Sequence, residues 1–150
     1  MSTNLKHRRE RKSSNCEEQF AGVLDEMRTQ KEFFRQVIDL NPSFIFAKDR
    51  EGKFTLVNKA LADAYGAEVD DLIGKSDGDF NDNEIEVEHF RSDDLEVINS
   101  QEKKFIPEEV ITDSEGNVRY LQTVKIPVVE KSGVAHMLSL IHISEPTRPY

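Results

Sequence analysis

The chain has 150 residues, of which 37% are hydrophobic and 33% are charged, and its formal net charge is -9. This size and composition predict one modest hydrophobic core beneath a heavily solvated surface, which means one domain with a tail. The acidic balance argues against nucleic acid as the main partner, because phosphate binding needs a cationic face, and no apolar run approaches the ~20 residues that span a membrane.

The first segment, residues 1–16, is a basic leader in which positive charges outnumber Glu10. Its positive residues are Lys6, Arg8, Arg9, Arg11 and Lys12. We expect this leader to be disordered; the alternative is that it touches nucleic acid or anionic lipid. No apolar region of a secretory signal follows it, and the lone Cys16 cannot form an intrachain disulfide, which fits a cytoplasmic location.

Residues 17–40 are predicted to form an amphipathic helix, since apolar residues recur there at helical spacing. Some of them recur every seven residues, which favours a two-helix coiled-coil seam and therefore a homodimer. The candidate seam residues are Phe20, Val23, Met27, Phe34 and Val37. The alternative is a helix that packs this face on its own domain.

Residues 41–138 read as strands and short helices that begin after Asn41-Pro42 ends the first helix. The predicted strands cover residues 43–48, 53–57, 105–112, 118–129 and 134–138. The predicted helices cover residues 59–65, with Asn58 as the N-cap, 69–73 and 84–100. Three turns each place an acidic residue three positions before a glycine, a pattern typical of hairpins.

The last segment, residues 139–150, reads SLIHISEPTRPY and does not continue the acidic style of the body. It resembles the translation of a sequencing adapter, so we expect residues 139–150 to be an artefactual tail. The last strand would then be truncated at Leu138, and the natural protein would continue with a different sequence beyond that residue.

Three stretches resemble the PAS family: residues 44–66, 71–80 and 111–128. The resemblance covers about residues 33–138. It implies an α+β PAS fold, with a five-stranded antiparallel sheet, helices inserted between strands 2 and 3, and an N-terminal helix in front. The likeness is greatest to PAS domains that precede histidine kinases and diguanylate cyclases in bacterial signal transduction, including two-component systems.

The resemblance implies a sensory and dimerising module without catalytic activity. It would relay small-molecule or partner binding to a C-terminal effector that this segment lacks. The alternatives are a purely structural dimerisation module with a filled core, or a haem-based sensor with His89 as the axial ligand. The PAS fold also implies a pocket beneath its helices, with candidate lining residues Phe46, Leu61, Tyr65, Phe80, Phe90, Arg91, Ile98, Leu121 and Thr123.

The sequence predicts no cofactor and no metal site, because His7, His89 and His136 lack the spacing of a metal cluster. The adjacent acidic residues at 70–71, 93–94 and 108–109 are expected to be solvated rather than paired in a catalytic cleft.

Overall fold

The computed structural model describes residues 2–144, and the side chains of residues 5–143. The helices are α1 (Ser2–Leu40), α2 (Lys59–Ala64), α3 (Val69–Leu72) and α4 (Glu84–Ser100), with a short 3-10 helix at Asp77–Asp79. The strands are β1 (Phe44–Lys48), β2 (Phe54–Val57), β3 (Lys104–Thr112), β4 (Val118–Val129) and β5 (Ala135–Ser144). Two compact units divide the chain, one ending at Val37 and the other beginning at Ile38.

The second unit is built on one five-stranded sheet in the order β2-β1-β5-β4-β3. Each neighbouring pair of strands is antiparallel. The last strand, β5, lies in the centre, between β1 and β4. The predicted α+β fold is confirmed: a five-stranded antiparallel sheet, helices inserted between β2 and β3, and an N-terminal helix in front.

The three acidic-to-glycine turns form as the sequence predicts. In the turn between β1 and β2, the Gly52 amide donates to the Asp49 carbonyl over 3.0 Å. Gly52 has φ 81°, a left-handed conformation that glycine adopts without the steric cost of a Cβ. The turns at Gly116 and Gly133 close on Asp113 and Glu130 in the same way.

The hydrophobic core contains residues from the sheet and from α2, α3 and α4. Among its fully buried side chains are Phe44, Phe54, Leu61, Leu72, Val97, Ile98, Leu121 and Met137. Buried Asn58 caps α2 as predicted, with its side-chain oxygen accepting from the Leu61 amide. Within residues 2–144, none of the helices has the length and apolarity that a membrane span requires.

Two expected boundaries differ in the structure. Helix α1 begins at Ser2, so the basic leader is helical where we expected disorder; its many Lys, Arg and Glu residues are good helix formers. Strand β5 runs to Ser144, six residues beyond the expected end at Leu138, because Ser139–Ile143 continue the pairing with β4. Residues 145–150 of the expected artefactual tail lie outside the described residues, and the origin of the tail stays a prediction.

Candidate functional site

A small enclosed cavity lies in the core, with a volume of about 20 Å³. Five of the predicted pocket residues line it: Phe46, Leu61, Tyr65, Phe90 and Leu121. A cavity of this size holds about one water molecule. In this conformation the core is therefore filled and has no room for haem or another organic ligand.

The other four predicted pocket residues lie elsewhere. Phe80 stacks on Tyr65 with ring centroids 5.8 Å apart, and Ile98 is buried in the core without lining the cavity. Thr123 is fully buried and donates to Glu109 Oε2 over 2.5 Å. Arg91 lines an outer cleft instead.

The cavity is also lined by charged residues that were not among the predicted pocket residues. Lys48, Asp77 and Lys125 line it directly, and Asp94 joins the two lysines. We call these four residues the buried ion-pair network. Lys48 Nζ donates to Asp77 and, over 2.9 Å, to Asp94 Oδ2, while Lys125 Nζ donates to Asp94 Oδ1 over 2.5 Å.

The network spans most of the second unit, because its members come from four separate elements. Lys48 ends β1, Lys125 lies in β4, Asp94 in α4, and Asp77 in the 3-10 helix. Helix α4 and the 3-10 helix are thus tied to the sheet through charged side chains rather than through apolar packing alone. Lys48 Nζ also lies 5.2 Å from the ring centroids of Phe46 and Phe54, within range of cation–π attraction.

The charges of neighbouring side chains keep Lys48 and Asp94 ionised despite their burial. Burial alone lowers the pKa of Lys48, but Asp77 and Asp94 outweigh that effect and raise the pKa above its ordinary value. Burial raises the pKa of Asp94, but Lys48 and Lys125 lower it by more, so the net shift is downward. Lys48 and Asp94 therefore both stay charged in the core near neutral pH.

Tyr65 extends this network toward α2, where it occupies the C-cap. Its hydroxyl donates to Asp77 Oδ1 over 3.0 Å. Burial, followed by the charge of Asp77, raises the pKa of the Tyr65 hydroxyl well above its ordinary value. The hydroxyl therefore stays protonated and holds Asp77 in place between Tyr65 and Lys48.

An outer cleft of about 600 Å³ lies against the buried ion-pair network, because Asp77 and Asp94 belong to the network and also line the cleft. Arg91 of α4 also lines the cleft, and its Nη1 atom is buried without a hydrogen-bond partner among the described residues. Gly52 lies directly behind it, because a Cβ on that glycine would approach Arg91 Nη1 to 2.8 Å. Four further carboxylates line this cleft: Glu51, Asp82, Glu84 and Glu88.

The expectation that the adjacent acidic residues are solvated is partly wrong. Asp93, Asp94 and Glu109 are buried, whereas Asp70, Asp71 and Glu108 are exposed. A signal for Asp94 was present in the sequence, because it lies four residues after Phe90 and three before Val97, on the same face of α4. The two lysines also lie at every-second positions that face inward along their strands. Lys48, for example, follows Phe44 and Phe46 on the same face of β1.

The five candidate seam residues all lie on α1 and are exposed in the single chain: Phe20 66%, Val23 54%, Met27 62%, Phe34 50% and Val37 51%. Their role in a dimer stays a prediction. His89, the candidate haem ligand, lies on α4 outside the lining of the core cavity.

The sequence and the fold are both similar to known sensor proteins. A family model described as the PAS fold matches residues 38–148. The virulence sensor protein BvgS of Bordetella pertussis is 40% identical over 47 residues, which make up 31% of this chain and 4% of BvgS. The matched segment is thus a small part of that relative's length.

Solved structures, two of them PAS domains, share the fold. The PAS domain of Bordetella pertussis BvgS aligns with a TM-score of 0.63 and 24% identity, covering 79% of this chain and 89% of that one. The PAS domain of an HTR-like protein from Haloarcula marismortui gives a TM-score of 0.67 at 14% identity, covering 83% of this chain and 99% of that one. VqmA bound to DPO gives 0.66 at 19% identity, covering 79% and 58%. With the family match over residues 38–148 and the five-stranded sheet, these likenesses identify the chain as a member of the PAS fold family.

Proposed function

We propose that this chain is the sensory module of a bacterial signal-transduction protein, which binds a small polar ligand in the outer cleft and relays that binding to a C-terminal effector. The observation that carries the proposal is the position of Arg91. Arg91 lines a cleft that shares Asp77 and Asp94 with the buried ion-pair network, and its buried Nη1 has no hydrogen-bond partner among the described residues. The proposal assigns no catalytic step to this segment.

The charges of the cleft indicate what kind of ligand fits. A buried guanidinium nitrogen without an acceptor favours a ligand that carries a carboxylate or a similar acceptor. The carboxylates around it, including Glu84 and Glu88, favour a cationic group on the same ligand. A small zwitterion such as an amino acid meets both requirements.

The relay follows from the shared residues. A ligand that pairs with Arg91 acts on α4, and Asp94 of the same helix bonds to Lys48 of β1 and Lys125 of β4. Binding would favour one arrangement of α4 against the sheet, by no more than the ligand's difference in affinity for the two arrangements. The likeness to BvgS, a virulence sensor, supports a sensory role, and we propose a histidine kinase as one class of effector.

The experiment is a binding screen on the full chain and on an Arg91→Gln variant. The twenty amino acids are tested by thermal shift, and any that stabilises the wild type is titrated by calorimetry. We expect at least one to bind, with affinity reduced about tenfold or more in the variant, because a hydrogen bond to a charged group contributes roughly 1.5–3 kcal/mol. Arg119→Gln is the matched control, since Arg119 pairs with Asp113 away from the cleft.

Failure of every amino acid to bind, or equal affinity in wild type and Arg91→Gln, would reject the cleft as the ligand site. The filled core favours the second candidate in that case, a dimerisation module that senses no small molecule. The cavity of about 20 Å³ is the observation behind this alternative. Self-association without any ligand response would support it.

A further inference from the structure

His89, Asp93 and Glu109 converge at the edge of α4 next to β3, on residues that the proposed cleft does not use. His89 and Asp93 lie four residues apart on one face of α4, with His89 Nε2 3.2 Å from Asp93 Oδ2. Each of the three residues offers a ligand atom, and these atoms all lie within 4.8 Å of one another. We call these three residues the His89 cluster.

The two carboxylates of the cluster are buried, and each presents an oxygen that no donor satisfies. Asp93 is 5% exposed and Glu109 is 4% exposed. Among the side chains of residues 5–143, none donates a hydrogen bond to Asp93 Oδ2 or to Glu109 Oε1. Buried carboxylate oxygens are costly without a hydrogen bond or a cation, so these atoms need a partner of positive charge.

The second oxygen of each carboxylate is held by a neighbour. Lys104 Nζ donates to Asp93 Oδ1 over 2.7 Å, and Thr123 Oγ1 donates to Glu109 Oε2 over 2.5 Å. Such outer contacts fix the orientation of carboxylates that bind metals. They leave Asp93 Oδ2, which has only His89 Nε2 beside it at 3.2 Å, and Glu109 Oε1 without a hydrogen bond at the cluster.

Solvent reaches the cluster through a surface cavity of about 290 Å³, which His89 and Glu109 both line. The His89 side chain is 61% exposed, so its ring is free to adjust toward an incoming ion. Lys104 lies beside Asp93, but it also donates to Glu96 over 2.5 Å. It keeps Glu96 as its acidic partner when Asp93 binds a metal, so Lys104 does not exclude a cation from the cluster.

We propose that the His89 cluster binds a divalent transition-metal ion, with Zn²⁺ as the best match, through His89 Nε2 and one oxygen each from Asp93 and Glu109. An imidazole ligand favours Zn²⁺ over Mg²⁺ or Ca²⁺, which prefer oxygen ligands. Tetrahedral Zn²⁺ with bonds of about 2.0–2.1 Å places its ligand atoms about 3.3 Å apart, close to the distance between His89 and Asp93. Water or an external ligand takes the fourth position.

The sequence predicted no metal site, because His7, His89 and His136 lack the spacing of a metal cluster. The fold supplies carboxylates from α4 and β3 in their place. A metal there links α4 to β3 directly. Metal binding can therefore affect the packing of these two elements independently of any ligand in the cleft.

The test is a calorimetric titration of the chelator-treated full chain with ZnCl₂ near pH 7.5, because metal ligands bind in their deprotonated forms. The comparison is with His89→Gln, an exposed position that leaves the core intact. We expect about one Zn²⁺ per wild-type chain and an affinity at least about tenfold lower in the variant. His136→Gln is the matched control, because His136 also lies beside one carboxylate, Glu130, and should bind as the wild type does.

A second readout identifies the ligands. Co²⁺ bound in place of Zn²⁺ should give the visible absorption of a four-coordinate site in the wild type and in His136→Gln, but not in His89→Gln. The proposal is overturned if the wild type takes up no Zn²⁺, or if His89→Gln keeps the wild-type affinity and Co²⁺ spectrum. The amino-acid screen is run on chelator-treated protein, so the two proposals fail independently.

Discussion

Asp94 is the shared acceptor that connects the two lysines of the buried ion-pair network. Its two carboxylate oxygens receive different lysines, Lys48 on β1 and Lys125 on β4, and the carboxylate is fully buried. Lys48 has a second carboxylate in Asp77, whereas Asp94 is the only acidic partner of Lys125 within the described part of the chain. Loss of Asp94 therefore leaves Lys125 with a buried charge and no counter-ion.

We predict that Asp94→Asn lowers the free energy of unfolding by about 3–5 kcal/mol, because breaking a buried pair strands a charge in a medium of low polarity. The measurement is urea unfolding near pH 7, followed by circular dichroism. Asp63→Asn is the control, since Asp63 forms an exposed pair with Lys59 and should change stability by no more than about 0.5 kcal/mol.

The pH dependence separates this effect from a mere packing defect. Because the folded pKa of Asp94 lies below its unfolded value of about 3.9, its contribution is present above that pH and is lost as pH falls through the folded pKa. The stability gap between wild type and Asp94→Asn should thus be constant from about pH 5 to 8 and narrow below about pH 4. A gap unchanged down to pH 2 would contradict the electrostatic explanation.

At the scale of the elements, Asn58 joins the end of α1 to β1 and α2. Its Oδ1 atom accepts from the Ile45 and Leu61 amides, and its Nδ2 atom donates to the Ile38 and Ser43 carbonyls over 2.8 Å each. One buried amide thus satisfies backbone groups from three elements. Only its role as the cap of α2 is local enough to be visible in the sequence.

We predict that Asn58→Ala costs about 2–4 kcal/mol of unfolding free energy, from about 1 for the lost cap and about 1–3 for the unsatisfied carbonyls. Asn58→Ser separates the two effects, because serine restores a helix cap but is too short to replace the amide donors. The serine variant should recover about 1 kcal/mol in urea unfolding and regain slow hydrogen exchange at the Leu61 amide. Equal stability of the two variants would show that the cap contributes nothing here.

The limits of sequence reasoning are clearest among these elements. The turns at Gly52, Gly116 and Gly133 and the Asn58 cap depend on residues within four positions of each other, so local rules predicted them. The buried ion-pair network joins Lys48 to Asp94 across 46 positions and Lys125 to Asp94 across 31. Alternation along β1 indicates that Lys48 faces inward, but the identity of its partner depends on how α4 packs on the sheet.

At the scale of the whole molecule, the most prominent unexplained surface is the apolar face of α1. The seam residues Phe20, Met27 and Phe34 recur every seven positions, and each is at least half exposed in the single chain. A regular repeat of large apolar side chains in water is unfavourable without a partner, and a second copy of the helix supplies a matching seam.

We predict that the full chain sediments as a dimer and that Met27→Glu raises the dimer dissociation constant at least about tenfold, which corresponds to about 1.4 kcal/mol. A glutamate there would place two like charges across an apolar seam. Thr29→Glu is the matched control: it adds the same charge two residues along, about 200° around the helix and away from the seam.

Sedimentation equilibrium decides between the outcomes. If both variants dimerise as the wild type does, the repeat on α1 is not the dimer seam. If Met27→Glu alone dissociates, then α1 is the element through which this domain pairs with its copy.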